Sequence, residues 1–284
     1  MTVAALPLPY PFELSFMQRA LVAGVVVGVF APLIGTFLVQ KRMSLIGDGI
    51  GHIAFAGVGA GLLVAVWPVW TALVFAVVGA LGIEWLRGRR RASGDLALAL
   101  FFYSGIALGV VLVSRANGLN ANILTYLFGQ PLTASDADVR TILGLGLVIV
   151  VVAVTLRRVL FAVVMDEEWS RVAGVPVGLL NSVLAVLTAC AVVAAMRIVG
   201  ILLVAAMMVL PVASGQLLAR SFSGTLRWSV GISVVSVVAG LAASREWDLA
   251  PGGTIVLIAA VAFAVVAFIT RTMGRLPVRE EMGA

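Results

Sequence analysis

The chain has 284 residues, 62% of them apolar and only 11% charged, and its mean hydropathy is +1.16. So few polar side chains cannot cover a water-facing globule of this size, which excludes a soluble enzyme and leaves lipid to cover the rest. The net charge of +6 comes from arginines in short stretches between apolar runs, a pattern that orients a membrane protein and argues against a nucleic-acid partner.

Residues 1–15 form an N-terminal segment in which Pro7, Pro9 and Pro11 precede any basic residue, unlike a cleaved signal peptide, so the first span is expected to do the targeting. A helix rising 1.5 Å per residue needs about 20 residues to cross a hydrocarbon core of roughly 30 Å. That ruler gives spans near 16–39, 46–66, 68–86, 95–114, 139–163, 178–195, 198–218, 228–243 and 253–270. The expected fold is therefore all-α and polytopic, a single transmembrane domain over 1–284 with nine spans, eight being the alternative count, and a tail at 272–284.

With the N-terminus outside, fourteen Lys and Arg residues fall in inside segments and five in outside ones, so the distribution of positive charge favours N-out and C-in. Trp67, Trp70, Trp169 and Trp247 sit at predicted span ends and read as interface anchors. Between the fourth and fifth spans, segment 120–138 holds an apolar stretch at 123–128 that is too short to cross, which predicts an outside re-entrant or surface helix. Gly47 and Gly51, like Gly24 and Gly28, have the spacing that lets helix backbones approach closely, and Pro32 and Pro211 interrupt spans as kinks or hinges. The only cysteine, Cys190, lies in an apolar span and reads as a small packed side chain.

Of the thirteen acidic residues, twelve, Glu84 and Asp95 among them, fall at span ends, in loops or in the tail. Asp48 alone is placed within a span, and the only histidine, His52, follows four residues later. In a helix both side chains project from one face about a turn apart. An ionisable group inside a membrane costs several kcal/mol unless it is paired or lines a wet path, so the pair points to function. Two structural readings stand beside this one: the two groups pair with each other, or Asp48 caps the start of its helix. Oxygen with imidazole nitrogen suits Zn²⁺, Mn²⁺ or Fe²⁺, and two ligands are too few for a tight site. A four-ligand set arises most simply by placing two copies of the helix across a twofold axis, which predicts a homodimer with a path along its interface. A zinc protease of the His-Glu-x-x-His type is excluded by the single histidine, and a phosphate loop by the sole lysine, Lys41, which lies between Gln40 and Arg42. Any ATP-dependent work falls to another chain.

The run Lys-Arg-Met-Ser-Leu-Ile-Gly-Asp-Gly-Ile-Gly-His at 41–52 resembles the signature of permease subunits in zinc and manganese ABC importers, the ZnuB type. The apolar run at 200–214, with Pro211 followed by small residues, is similar to a second motif of that family, and Tyr126-Leu-Phe-Gly129 and the stretch from Asp166 through Ala173, Gly174 and Val175 fall in the same order. The resemblance covers roughly residues 16–270 and implies a fold like that of cobalamin and siderophore permeases. It implies that Asp48 and His52 hold the metal in transit. It also implies that segment 166–176, with Asp166, Glu167, Ala173, Gly174 and Val175, is the cytoplasmic coupling helix seated on an ATPase subunit. The expected assembly is a homodimer with two cytoplasmic ATPase subunits and an extracytoplasmic metal-binding protein, in a bacterial cytoplasmic membrane. No permanently bound cofactor is expected, and the chain itself is a transport permease rather than an enzyme. The expected cargo is zinc first and manganese next, with transport falling as pH drops through the titration of His52. The alternatives are an ABC permease for a siderophore-like organic ligand and a proton-coupled metal carrier.

Overall fold

The chain is seen in a computed structural model that describes residues 9–88, 94–116 and 121–273, and every described element is helical. Residues 1–8 of the N-terminal segment, Arg89, Arg90 and Arg91, Asn120, and residues 274–284 of the tail lie outside the described residues.

Nine described helices are long and apolar enough to cross a membrane. They are α1 (Ser15–Gln40), α2 (Ile46–Leu63), α3 (Pro68–Gly88), α4 (Gly94–Arg115), α6 (Asp136–Thr155), α9 (Val177–Ala195), α10 (Ile201–Leu218), α11 (Phe222–Glu246) and α12 (Pro251–Met273), and the shorter α5 (Ala121–Phe128), α7 (Arg157–Met165) and α8 (Glu167–Val172) lie between them. The predicted spans match these nine, α11 starting at Phe222 and not near 228, with two informative differences. The single span expected at 139–163 divides, because α6 stops at Thr155 and α7 starts at Arg157, where Arg157 and Arg158 interrupt the apolar run. The span expected from residue 198 starts at Ile201, because Gly200 takes a φ of 93° that a helix cannot continue through.

The layering follows from which helices can be apolar all round. The most apolar stretches of α1 and α2 are 72% buried, those of α4 and α12 only 22%, so the first pair forms the centre and the second faces outward. The outward faces carry exposed Leu100, Leu108 and Val111 on α4, Leu147 and Val151 on α6, and Leu257, Val261 and Phe268 on α12. A continuous apolar exterior of this kind is what a lipid-facing wall requires.

Glycine sets the distances at the centre. A Cβ on Gly35 of α1 would lie 1.9 Å from the Met208 carbonyl oxygen of α10, so the two backbones cross in contact there, a turn short of Pro211. On α2, Gly57 and Gly61 face α3, Gly49 and Gly59 face α4, and Gly47 and Gly51 face α10, so one helix meets neighbours on three sides.

The two ends of the bundle differ. One gathers the C-termini of α1 and α3, the N-terminus of α2, and α8 with the start of α9, joined through Lys41, Glu167 and Asn181. At the other end Arg19 pairs with Asp136 at 3.0 Å, Tyr10 donates to Glu246 at 2.5 Å, and the backbones at Phe128, Val199 and Gly252 meet.

Candidate functional site

The turn that leads into α2 is short and tightly fixed. Arg42 takes a φ of 59°, the Met43 amide donates to the Leu38 carbonyl at 2.8 Å, and the Ile46 amide donates to Met43 at 3.1 Å, which closes α1 and opens α2 within a few residues. Asp48 is the third residue of α2 and His52 lies one turn deeper. A carboxylate in a first turn is favoured by the helix dipole, yet Asp48 is not spent on capping, since no side chain caps this helix.

Both groups are half-buried, and neither hydrogen-bonds nor ion-pairs with any described residue. They therefore do not pair with each other. Helix α4 rests directly on their helix: a Cβ on Gly105 would lie 2.9 Å from the Ile53 nitrogen and 3.0 Å from the His52 carbonyl carbon. This contact brings Phe102 against His52, ring centroids 4.4 Å apart in an edge-on arrangement, and Phe102 in turn meets Tyr103 at 5.3 Å.

Asp48 opens into a groove of about 350 Å³ between α2 and α4, lined also by Leu45, Asp95, Leu98, Ala99, Phe102 and Tyr103. Asp95, in the first turn of α4, is the acid that the sequence left among the span ends. Gly49 opposite Leu98 sets the register of the two helices, and that register brings the carboxylates of Asp48 and Asp95 to one groove. Among the described residues no group of three or more His, Cys, Asp or Glu side chains is arranged to hold a metal ion. The described residues thus offer a carboxylate and an imidazole with free coordination capacity, with Asp95 on the same groove as Asp48 but no three-ligand cluster.

The packing glycines act on this helix from the opposite side. Cβ atoms on Gly47 and Gly51 would lie 3.4 Å from the Ala205 Cβ and 3.3 Å from the Ile201 Cγ2 of α10, so anything larger than alanine would push α2 away from α10. Pro211 is buried further along α10.

Segment 166–176 forms a separate unit. Asp166 caps α8 by accepting from the Trp169 amide at 2.8 Å, and Gly174, with a φ of 80°, ends it while the Val175 amide donates to Ser170 at 3.0 Å. Trp169 is 66% and Val172 89% exposed, so this short helix presents apolar side chains outward. Trp169, expected at a span end, lies instead on this separate helix. Glu167 turns the other way, toward Lys41 at 3.6 Å and Asn181 at 3.4 Å.

Sequence reasoning missed the polar cluster at the opposite end. Arg197, between α9 and α10, donates to Asp138 at 2.8 Å and lies 5.0 Å over the Tyr126 ring. Asp138 also accepts from the Ser135 amide at 3.0 Å and the Ser135 hydroxyl at 2.8 Å, completing a capping box at the start of α6. Burial pushes the Tyr126 phenol above its ordinary range, against the pull of the Arg197 charge. The Ser-x-x-Asp spacing at 135–138 was a visible cap signal, but nothing local pointed to Arg197.

The sequence profile of the ABC 3 transport family matches residues 13–270. The chain belongs to that family. The permease is 32% identical to the manganese transport system membrane protein MntC of Halalkalibacterium halodurans, over 92% of this chain and 90% of that one. It is 28% identical to the high-affinity zinc uptake system membrane protein ZnuB of Haemophilus influenzae, over 90% and 98% of the two chains. Among solved structures it resembles PsaBC from Streptococcus pneumoniae in complex with Fab, with a TM-score of 0.84 and 30% identity over 93% of this chain and 95% of that one. A metal-chelate type ABC transporter in an inward-facing conformation, 16% identical with a TM-score of 0.67, shares the fold. This ABC 3 permease is accordingly a multi-pass membrane protein.

Proposed function

We propose that this permease carries a divalent transition metal, zinc or manganese, into the cytoplasm as the membrane subunit of an ATP-driven importer. The observation that carries the reading is the state of Asp48 and His52: two metal-binding groups on one face of a central helix, unpaired, and part of no three-ligand cluster among the described residues. The names of the relatives, manganese transport and zinc uptake, agree with that donor set.

In this reading two copies of the chain face each other across a twofold axis, and each supplies one carboxylate and one imidazole to an ion in transit. Ligands drawn from two mobile copies hold the ion only while the copies are close, which suits a site that must also release. Because the donors are an ionised carboxylate and a neutral imidazole, protons compete with the metal.

The orientation follows the charge count, N-out and C-in, with Lys41, Arg87, Arg157 and Arg171 on the cytoplasmic side. On that side α8, with Trp169 and Val172 outward, is the surface for an ATPase subunit, and Asp166 and Gly174 fix its two ends. ATP binding and hydrolysis in that partner move α8 and rock the helices between outward-open and inward-open states. An extracytoplasmic binding protein delivers the metal at the opposite end.

The test is uptake of radioactive zinc and manganese into vesicles holding the permease with its ATPase and binding protein. Asp48→Ala and His52→Ala should each lower ATP-driven uptake by about tenfold or more, since losing even an outer-shell partner of a ligand costs about that much at other metal sites. Uptake that continues without the ATPase would favour a proton-coupled carrier. Variants that transport metal at the wild-type rate would refute Asp48 and His52 as its ligands, and a wild-type complex that takes up neither zinc nor manganese would favour an organic ligand.

A further inference from the structure

Lys41 is the only lysine in the chain, and its side chain is 8% exposed. Its ammonium donates to the Asn181 amide oxygen of α9 and pairs with Glu167 of α8 at 3.6 Å, while the Asn181 amide nitrogen donates to Glu167 at 3.4 Å. Three segments distant in sequence therefore meet at one buried charge: the turn after α1, the first residue of α8 and the second turn of α9. The surroundings are balanced around that charge. Burial pulls the ammonium below its ordinary range, Glu84 and Glu167 draw it back up, and Arg87 opposes them.

The position of Lys41 in the chain gives the cluster its consequence. The turn from Lys41 to Leu45 is pinned by the Met43-to-Leu38 and Ile46-to-Met43 hydrogen bonds and continues without slack into α2. Asp48 stands three residues beyond Leu45, in the first turn of α2. Once α8 moves, Lys41 either loses its carboxylate or follows it, and a buried ammonium without its acceptors is strongly unfavourable. Following drags the start of α2 along.

We propose that Lys41 is the positioning residue through which movement of α8 reaches the metal-bearing end of α2, with Glu167 as its partner and Asn181 holding the pair in register. The proposal rests on the reading of α8 as the ATPase-docking helix. It assigns Glu167 a role facing into the bundle, distinct from the outward docking face of Trp169 and Val172. The exposed Arg171, which pairs with Glu167 at 3.3 Å, lies on the solvent side of the same carboxylate.

The experiment measures metal uptake and ATP hydrolysis in the same vesicles, using the whole complex of permease, ATPase and binding protein. Lys41→Met should lower the metal transported per ATP hydrolysed by about tenfold while the ATPase copurifies as in the wild type, since a coupling free energy is lost and not an assembly contact. Glu167→Gln, at a partly exposed position where folding is not at stake, should do the same. The double variant should be no worse than the poorer single one, because both remove one interaction. Lys41→Arg should restore most of the ratio. The proposal is overturned if Glu167→Gln and Lys41→Met leave metal per ATP unchanged, or if the double variant shows the product of the two single effects. Should Lys41→Met fail to assemble, Glu167→Gln decides alone. Val172→Asp separates the two levels: an ATPase that still binds that variant and drives uptake overturns the docking reading, whereas loss of binding there together with silent Lys41 and Glu167 variants overturns only the role of Lys41.

Discussion

Truncating Arg197 to alanine should destabilise the permease by several kcal/mol, on the order of a broken buried ion pair. Asp138 is 3% exposed and Arg197 18%, so the pair is screened by protein and hardly by water. Breaking a buried pair by removing one partner costs about 3 to 5 kcal/mol, because the remaining charge stays buried. Asp138 keeps two donors from Ser135, at 3.0 and 2.8 Å, which places the loss near the lower end of that range. Losing the guanidinium over Tyr126 adds about 0.5 to 2 kcal/mol. The sum, about 3.5 to 5 kcal/mol, corresponds to a fall in melting temperature of at least about 5 °C for a chain of this length. The assay is thermal unfolding of the detergent-solubilised protein, followed by the monodisperse fraction on gel filtration. In a double-mutant cycle with Asp138→Ala, the second substitution should cost much less in the Arg197→Ala background than in the wild type. An Arg197→Ala variant that melts within about 1 °C of the wild type would refute the reasoning, since it would mean that the pair is solvated.

Gly35→Ala places a methyl 1.9 Å from the Met208 carbonyl oxygen, so α1 and α10 must separate; the expected result is little folded protein on gel filtration, and a normal yield would show that the crossing is looser than described. The hydrogen bond to Glu246 holds the Tyr10 phenol above its ordinary value of 10.0, so the tether's contribution is complete below that value and is lost as pH rises through the higher folded one. The tyrosinate absorbance that distinguishes wild type from Tyr10→Phe should therefore have its midpoint above pH 10.0, and a midpoint at or below that value would contradict the tether. Metal uptake should fall as pH drops through the imidazole's titration range, because His52 binds metal only when neutral; flat uptake down to about pH 5, with the partner proteins intact, would count against His52 as a ligand.

The spans were legible because an apolar run of about 20 residues has few other uses. Their ends were legible where a local signal exists and obscure where it does not. Ser135 and Asp138 mark the start of α6 plainly, whereas the break between α6 and α7 rests on two arginines that a span end would tolerate equally well. Asp48 and His52 stood out because they are isolated in apolar sequence, and their spacing put them on one helical face. That Asp95 faces the same groove as Asp48 depends on how α4 docks through Gly49 and Gly105, which no single helix encodes. Likewise the glycines announced close packing without naming the partner: Gly47 and Gly51 meet α10, while Gly57 and Gly61 meet α3. The ion pairs of Arg197 with Asp138 and of Lys41 with Glu167 join residues far apart in the chain, so no local spacing pairs them.

The central claim is that one ion is shared by the Asp48 and His52 side chains of two chains. Titrating the purified permease with Co²⁺, whose absorption bands report nitrogen and oxygen ligands, tests it directly. The account predicts one ion bound for every two chains, with the bands abolished by Asp48→Ala and by His52→Ala. One ion for every chain, or bands that persist in both variants, would contradict it.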